Sequence, residues 1–203
     1  MQRLRIEADE LNPEHQDLVD TMLKAMQRTN AIIANLGRYT KVLRPQTQTV
    51  DLHAVIDHLL TLYKGALTER GIAATFIPCP DATLEADQHL LEEMLENLIK
   101  NTIEAQPKGG FVHIELKHQG PMLAVEMENA GFELPPDMTA RIFEAYFTTK
   151  TQGSGLGLAI AKRIIEAHGG SISAHIPRHG ILHVRILLPR RQEGSAGGEK
   201  LET

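Results

Sequence analysis

Tryptophan is absent, cysteine occurs once, and no apolar run approaches the roughly 20 residues that a membrane-spanning helix needs. The single Cys79 cannot close an internal disulfide, which suits a reducing compartment; read by itself it is a small residue in or beside a strand. Aromatic residues make up only 4%, so a core must be built from Leu, Ile, Val and Ala. Basic charge is not in excess. With 21 Lys and Arg against 26 Asp and Glu, the formal charge of −5 lacks the basic stripe of a nucleic-acid surface. The first ten residues show no signal-peptide pattern, and no internal repeat is visible. These absences predict a soluble, cytoplasmic chain. Its 203 residues suffice for one well-buried domain and an appendage.

Two parts are legible along the chain. Asn12 before Pro13 reads as a helix cap and first helical position. From there Val19, Met22, Met26, Thr29, Ile33, Leu36, Thr40 and Leu43 recur at spacings of three and four, a heptad seam that ends before Pro45. Such a seam must be buried by another helix, from upstream chain or from a second copy, or else by folding down onto the main domain; all three stay open. A second helix begins at Asp51 and carries Leu52, Val55, Ile56, Leu59, Leu60, Tyr63 and Leu67 on one face, with Gly71 at its end. A strand is expected at 73–77 and a third helix from Asp87 to about Gln106. Val112, Ile114 and Leu116 then alternate on one arm of a hairpin, and Leu123, Val125 and Met127 on the other, around Gly120. After a Gly- and Pro-containing stretch, 129–157, come a fourth helix at 158–168 and two strands at 171–176 and 181–188. The expected units are a helical region, 1–44, an α/β domain, 45–190, and a disordered polar tail, 191–203. The fold class is an α/β sandwich with helices on one face of a largely antiparallel sheet.

Four stretches carry chemistry. On the third helix Asn97 and Asn101 lie four apart, so both project from one face among Leu95, Leu98 and Ile99. A hydrated Mg²⁺ could partner those amides, but two Asn four apart are common, and on spacing alone they read as ordinary helix polar groups. The second stretch runs Val125-Glu126-Met127-Glu128-Asn129-Ala130-Gly131, a strand entering a turn, and the third runs Arg141-Ile142-Phe143 through to Thr149-Lys150. The fourth is Gly153-Ser154-Gly155-Leu156-Gly157-Leu158, opening the fourth helix. Alternate glycines let backbone N–H groups close on an anion, the helix N-terminus adds its positive dipole end, and Lys150 adds a point charge. Neither the dinucleotide fingerprint nor the P-loop fits, because Leu158 stands where the first needs Gly and the second needs Lys.

Taken in order, these stretches resemble the ATP-binding domain of sensor histidine kinases, from about residue 14 to 189. The run 97–101 resembles the family's N box, 142–150 its F box, and 153–158 its second glycine box; Glu-Ala-His-Gly-Gly at 166–170 and the short lid look most like the nitrogen-regulator subgroup. The resemblance implies a Bergerat-type sandwich, three helices on one face of a mixed, mostly antiparallel sheet, preceded by a long coiled-coil-like helix. It implies ATP and Mg²⁺ as ligands, with the metal on Asn101 and Asn97 beside it. The phosphates would lie along Gly153, Ser154, Gly155, Leu156 and Gly157, near Lys150, under a lid at about 137–155. Implied partners are a response regulator and a second copy through the N-terminal helix, with a sensor domain upstream of this sequence.

Two departures stand out. The family's first glycine box, Asp-x-Gly-x-Gly, corresponds here to Asn129, Gly131 and Glu133. Its Asp accepts a hydrogen bond from the adenine amino group. An Asn oxygen still accepts but lacks charge, and the bond is weaker by about 1 kcal/mol. Arg28 to Ile33 resembles the second helix of the family's dimerisation domain, whereas the phosphoacceptor histidine belongs on the first helix, followed by an acidic residue and soon by Pro. None of the ten histidines has that context: His15 precedes Gln16, His53 precedes Ala54, and His58 precedes Leu59. The other seven lie in the catalytic part and share no metal-ligand spacing. No catalytic side chain is therefore assigned. Related hydrolases of the gyrase type carry a Glu base four residues before the metal-binding Asn; Asn97 stands there, which favours phosphoryl transfer over hydrolysis. A non-enzymatic docking adaptor is the third reading that the sequence leaves open.

Overall fold

The structure, a computed structural model, describes residues 13–106, 109–132, 135–150 and 153–191. The expected cap at Asn12, Glu133 and nearly all of the tail lie outside the described residues. The first element, α1 (Pro13–Thr40), is the predicted arm, although it stops at Thr40, so Leu43 lies beyond its last turn. There follow β1 (Gln48–Asp51), α2 (Leu52–Glu69), β2 (Ile72–Ile77), β3 (Thr83–Ala86), α3 (Gln88–Ala105), β4 (Gly110–Gln119) and β5 (Met122–Phe132). A 3-10 turn (Pro136–Phe143), α4 (Gly157–Ala167), β6 (Ser171–Arg178) and β7 (Gly180–Pro189) complete the chain.

The main sheet has the order β2-β4-β5-β7-β6; β2 runs parallel to β4 and the remaining pairs are antiparallel. Alternation along the strands explains its two faces. Ile114, Met127 and Val184 form one cross-strand row, and Leu116, Val125 and Ile186 the next. All six are buried in one core with Leu52, Ile56 and Leu59 of α2, Leu91, Met94 and Leu95 of α3, and Ile160 and Ile164 of α4. The intervening residues, among them Glu126, His183 and Arg185, form the polar face, where Glu126 pairs with His183 at 2.9 Å and with Arg185 at 3.1 Å. This is the Bergerat-type α/β sandwich that the resemblance implies. Absent from that expectation is the two-stranded pair of β1 with β3. Only Val50 of β1 is buried, which leaves too little alternation to read.

Helix α3 is fixed at its start. Asp87 accepts from the N–H of Leu90 at 3.2 Å and from that of Gln46 at 2.9 Å. The buried ring of His168 receives the Asp87 N–H on Nε2 at 3.0 Å and contacts the carbonyl of Ile164 through Nδ1 at 2.7 Å, which ties the end of α4 to the start of α3. Helix α1 divides along its length. Tyr39, with Leu43 just past its end, packs on the core, while Met22 (57% exposed), Met26 (50%) and Ile33 (61%) present the seam to solvent. No helix among the described residues is long and apolar enough to cross a membrane.

Candidate functional site

Three elements converge on the residues singled out by sequence. Helix α3 supplies Asn97 and Asn101, four apart on one face. Asn97 donates from Nδ2 to the carbonyl of Glu93 at 2.9 Å, and its Oδ1 lies 3.2 Å from where a Cβ on Gly157 would stand. A side chain at 157 would press on that amide. Glycine there lets the start of α4 close on α3.

Asn101 meets Lys150, 49 residues away in sequence. The ammonium donates to Asn101 Oδ1 at 2.8 Å and to Glu104 Oε2 at 2.9 Å, and lies 3.4 Å from the Asn101 carbonyl oxygen. One cation is thus held by oxygens from two successive turns of α3. An amide oxygen that already draws in a cation is a hard donor of the kind Mg²⁺ accepts, and Mg²⁺ characteristically takes few protein ligands and keeps the rest for water and phosphate. The donor set fits that ion. Glu104 was not singled out by sequence, although its position three residues after Asn101 puts it on the same helix face.

The loop before α4 lies against the end of the F-box stretch. The Tyr146 N–H donates to the Gly155 carbonyl at 2.9 Å, and the Gly153 N–H to the Lys150 carbonyl at 3.3 Å. Gly155 has φ +67, and a Cβ there would stand 2.5 Å from the Tyr146 carbonyl carbon. Tyr146 is itself left-handed at φ 68, a conformation that costs a non-glycine residue about 1–3 kcal/mol and persists only where the surroundings enforce it. Ser154 Oγ accepts from the Leu156 N–H at 3.3 Å and from Asn35 Nδ2 of α1 at 3.2 Å. No side chain caps α4, so its first-turn amides and positive dipole end stay available to an anion.

Asn129 occupies an inward position of β5, in a row with Val112 and Leu182, and is only 2% exposed. A buried amide in an apolar row is costly unless it is bonded; its Nδ2 donates to the Ala130 carbonyl at 2.9 Å. Gly131 follows at φ +82, where the register between β5 and β7 shifts, and a Cβ on it would stand 2.3 Å from the Ala105 carbonyl oxygen. The end of β5 therefore packs against the end of α3, one turn past Asn101. Gln106, buried and not foreseen, secures this corner by bonding both the N–H and the carbonyl of Phe111.

All ten residues assigned to the site are described, and they frame the seam between α3, the end of β5 and the 153–157 loop. A cleft of about 370 Å³ lies elsewhere, lined by Arg38, Lys41, Glu93, Glu96, Ile160 and Arg163 among others, and contains none of the ten. Its walls are the end of α1, α3 and α4; Arg163 of α4 joins the end of α1 by stacking on Tyr39 (5.0 Å) and donating to the Lys41 carbonyl (3.0 Å).

Residues 86–192, just over half of the chain, match the family of histidine kinase-, DNA gyrase B-, and HSP90-like ATPases. Signal transduction histidine-protein kinase AtoS of Escherichia coli (strain K12) is 30% identical over 189 residues, which cover 91% of this chain and 31% of AtoS. The chain spans about a third of the length of the curated relatives it matches. Among solved structures, the catalytic domain of histidine kinase ThkA is 29% identical with a TM-score of 0.67, covering 73% of this chain and 98% of that one. The complex of ThkA with response regulator protein TrrA covers 93% of this chain and 56% of that one at a TM-score of 0.77; at 24% identity the likeness is one of fold.

Proposed function

The chain belongs to the family of histidine kinase-, DNA gyrase B-, and HSP90-like ATPases, with a catalytic domain of the sensor histidine kinase kind, and on that premise we propose that it binds Mg-ATP between α3, the end of β5 and the 153–157 loop. It transfers the γ-phosphoryl group to a histidine that none of its own ten supplies, and from there to a response regulator. The observation that carries this reading is the convergence of Asn101, Lys150 and the uncapped start of α4. These are a hard oxygen donor, a lysine ammonium and an anion-seeking helix end.

Mg²⁺, when bound, would neutralise the phosphate charge that builds up as the γ-phosphoryl group leaves. The residues of the chain position. Asn101 offers Oδ1 to the metal, Gly153, Gly155 and Gly157 let backbone approach the phosphates, and Lys150 balances their charge. Asn129 accepts from the adenine amino group, and Gly131 lets the end of β5 close on the end of α3. Hydrolysis as the main activity is disfavoured. Position 97 carries an amide, and the nearest carboxylate upstream on that face, Glu93, lies 3.7 Å from Arg38 of α1. The nucleophile is then an imidazole delivered from outside the catalytic domain, not an activated water.

Labelled ATP given to this 203-residue chain alone should yield no acid-labile phosphohistidine. Adding a helix that bears a histidine followed by an acidic residue, together with a response regulator, should yield label on both. Self-labelling lost in His15→Ala would overturn the assignment of α1, and steady phosphate release without transfer would point to a hydrolase.

A further inference from the structure

In this structure Asn101 Oδ1 is held by Lys150, and Lys150 is held in turn by Glu104. We propose that Glu104 is a positioning residue that keeps the Lys150 ammonium on Asn101, so that lysine and divalent metal compete for one oxygen and the metal gains it only when a polyphosphate draws the lysine away. The inference rests on the nucleotide reading above and extends it to the order in which ligands arrive.

The two cations would draw on the same amide oxygen. The ammonium lies 2.8 Å from Asn101 Oδ1 and 2.9 Å from Glu104 Oε2, whereas a Mg²⁺ on Asn101 would sit about 2.1 Å from that oxygen. An amide oxygen has two lone pairs, but cations on both would stand about 4 Å apart and repel each other, so each weakens the hold of the other. The lysine has somewhere to go. Its backbone belongs to the stretch that folds back on the glycine loop through the bond from the Gly153 N–H to the Lys150 carbonyl. A phosphate at the start of α4 would therefore lie within reach of the same flexible side chain. Glu104 is more than half exposed, so its pair with Lys150 is weak by itself and is readily exchanged. Its carboxylate also disfavours polyphosphate that arrives without metal, since like charges would then meet on the same face of α3. The pair thus acts as a gate for the complete metal–nucleotide complex.

The test uses Mn²⁺, followed by water-proton relaxation without nucleotide, and calorimetry of a non-hydrolysable ATP analogue in EDTA. Lys150→Met should bind Mn²⁺ at least about tenfold more tightly than the unaltered chain, and adding Asn101→Ala should remove the gain. Glu104→Gln should bind metal-free analogue about two- to fivefold more tightly, the range expected of an exposed ion pair, and Glu104→Asp should restore the original value. Unchanged thermal unfolding would separate these effects from misfolding. If Lys150→Met gains no metal affinity, or Glu104→Gln gains no nucleotide affinity, in a chain that otherwise binds Mg-nucleotide, the inference falls and the nucleotide reading stands. If Lys150→Met captures Mn²⁺ but no variant binds nucleotide, the exchange of cations stands and the nucleotide reading falls.

Discussion

Gly155 and Tyr146 are locked together through their backbones. The Tyr146 N–H donates to the Gly155 carbonyl at 2.9 Å, both residues are left-handed, and a Cβ on Gly155 would meet the Tyr146 carbonyl carbon at 2.5 Å. The 153–157 loop is therefore tied to the stretch that ends at Lys150. Gly155→Ala must either push Tyr146 aside or abandon its φ, and each route takes the loop amides away from the start of α4. We expect loss of analogue binding by at least about tenfold, with unfolding stability lowered by about 1–2 kcal/mol. Calorimetry and thermal unfolding check both.

Helix α3 carries both site asparagines, and its start depends on Asp87. Burial by itself would raise the Asp87 pKa, but hydrogen bonds from the Gln46 and Leu90 N–H groups outweigh it and hold the carboxyl below its ordinary value. A depressed carboxylate pKa adds stability that is present above the unfolded value, near 3.8, and is lost as pH falls through the folded one. Asp87→Ala should cost about 1–2 kcal/mol at neutral pH, as cap removal does. Urea unfolding should show the difference between the two proteins flat above about pH 6 and shrinking below about pH 4.

The core of the fold was legible in the sequence because its signals are local. The hairpin of β4 and β5 alternates cleanly around Gly120, and the apolar faces of α2 and α3 repeat at helical spacing. Strands β1 and β3 were not legible, because four residues with one or two buried side chains give no period. The site divides the same way. Asn97, Asn101 and the glycine loop were singled out by four stretches in one order that resemble a known family, not by spacing alone, whereas Asn101 meeting Lys150 is a contact across 49 residues. Gln106 and Tyr146 act through a corner bond and a backbone angle, and neither leaves a mark on composition.

Helix α1 keeps its seam in solvent at Met22, Met26 and Ile33 while Asn35, Arg38 and Tyr39, on the other side of the helix, hold the catalytic domain. A partner helix can thus cover the seam without displacing that contact. Each seam side chain fully buried would contribute about 1.5–3 kcal/mol. The chain should dimerise at high micromolar concentration, and Ile33→Glu or removal of residues 1–45 should give a monomer that still binds nucleotide. Sedimentation of the intact chain as a monomer would mean that the seam finds no partner helix in a second copy.

The claim that Asn101 holds the metal on the phosphates is tested most directly by titrating a non-hydrolysable ATP analogue in millimolar Mg²⁺ and again in EDTA, for the unaltered chain and for Asn101→Ala. The account predicts that Mg²⁺ tightens binding to the unaltered chain by about tenfold or more, and that Asn101→Ala binds equally weakly in both. Full Mg²⁺-dependent tightening in Asn101→Ala would contradict it.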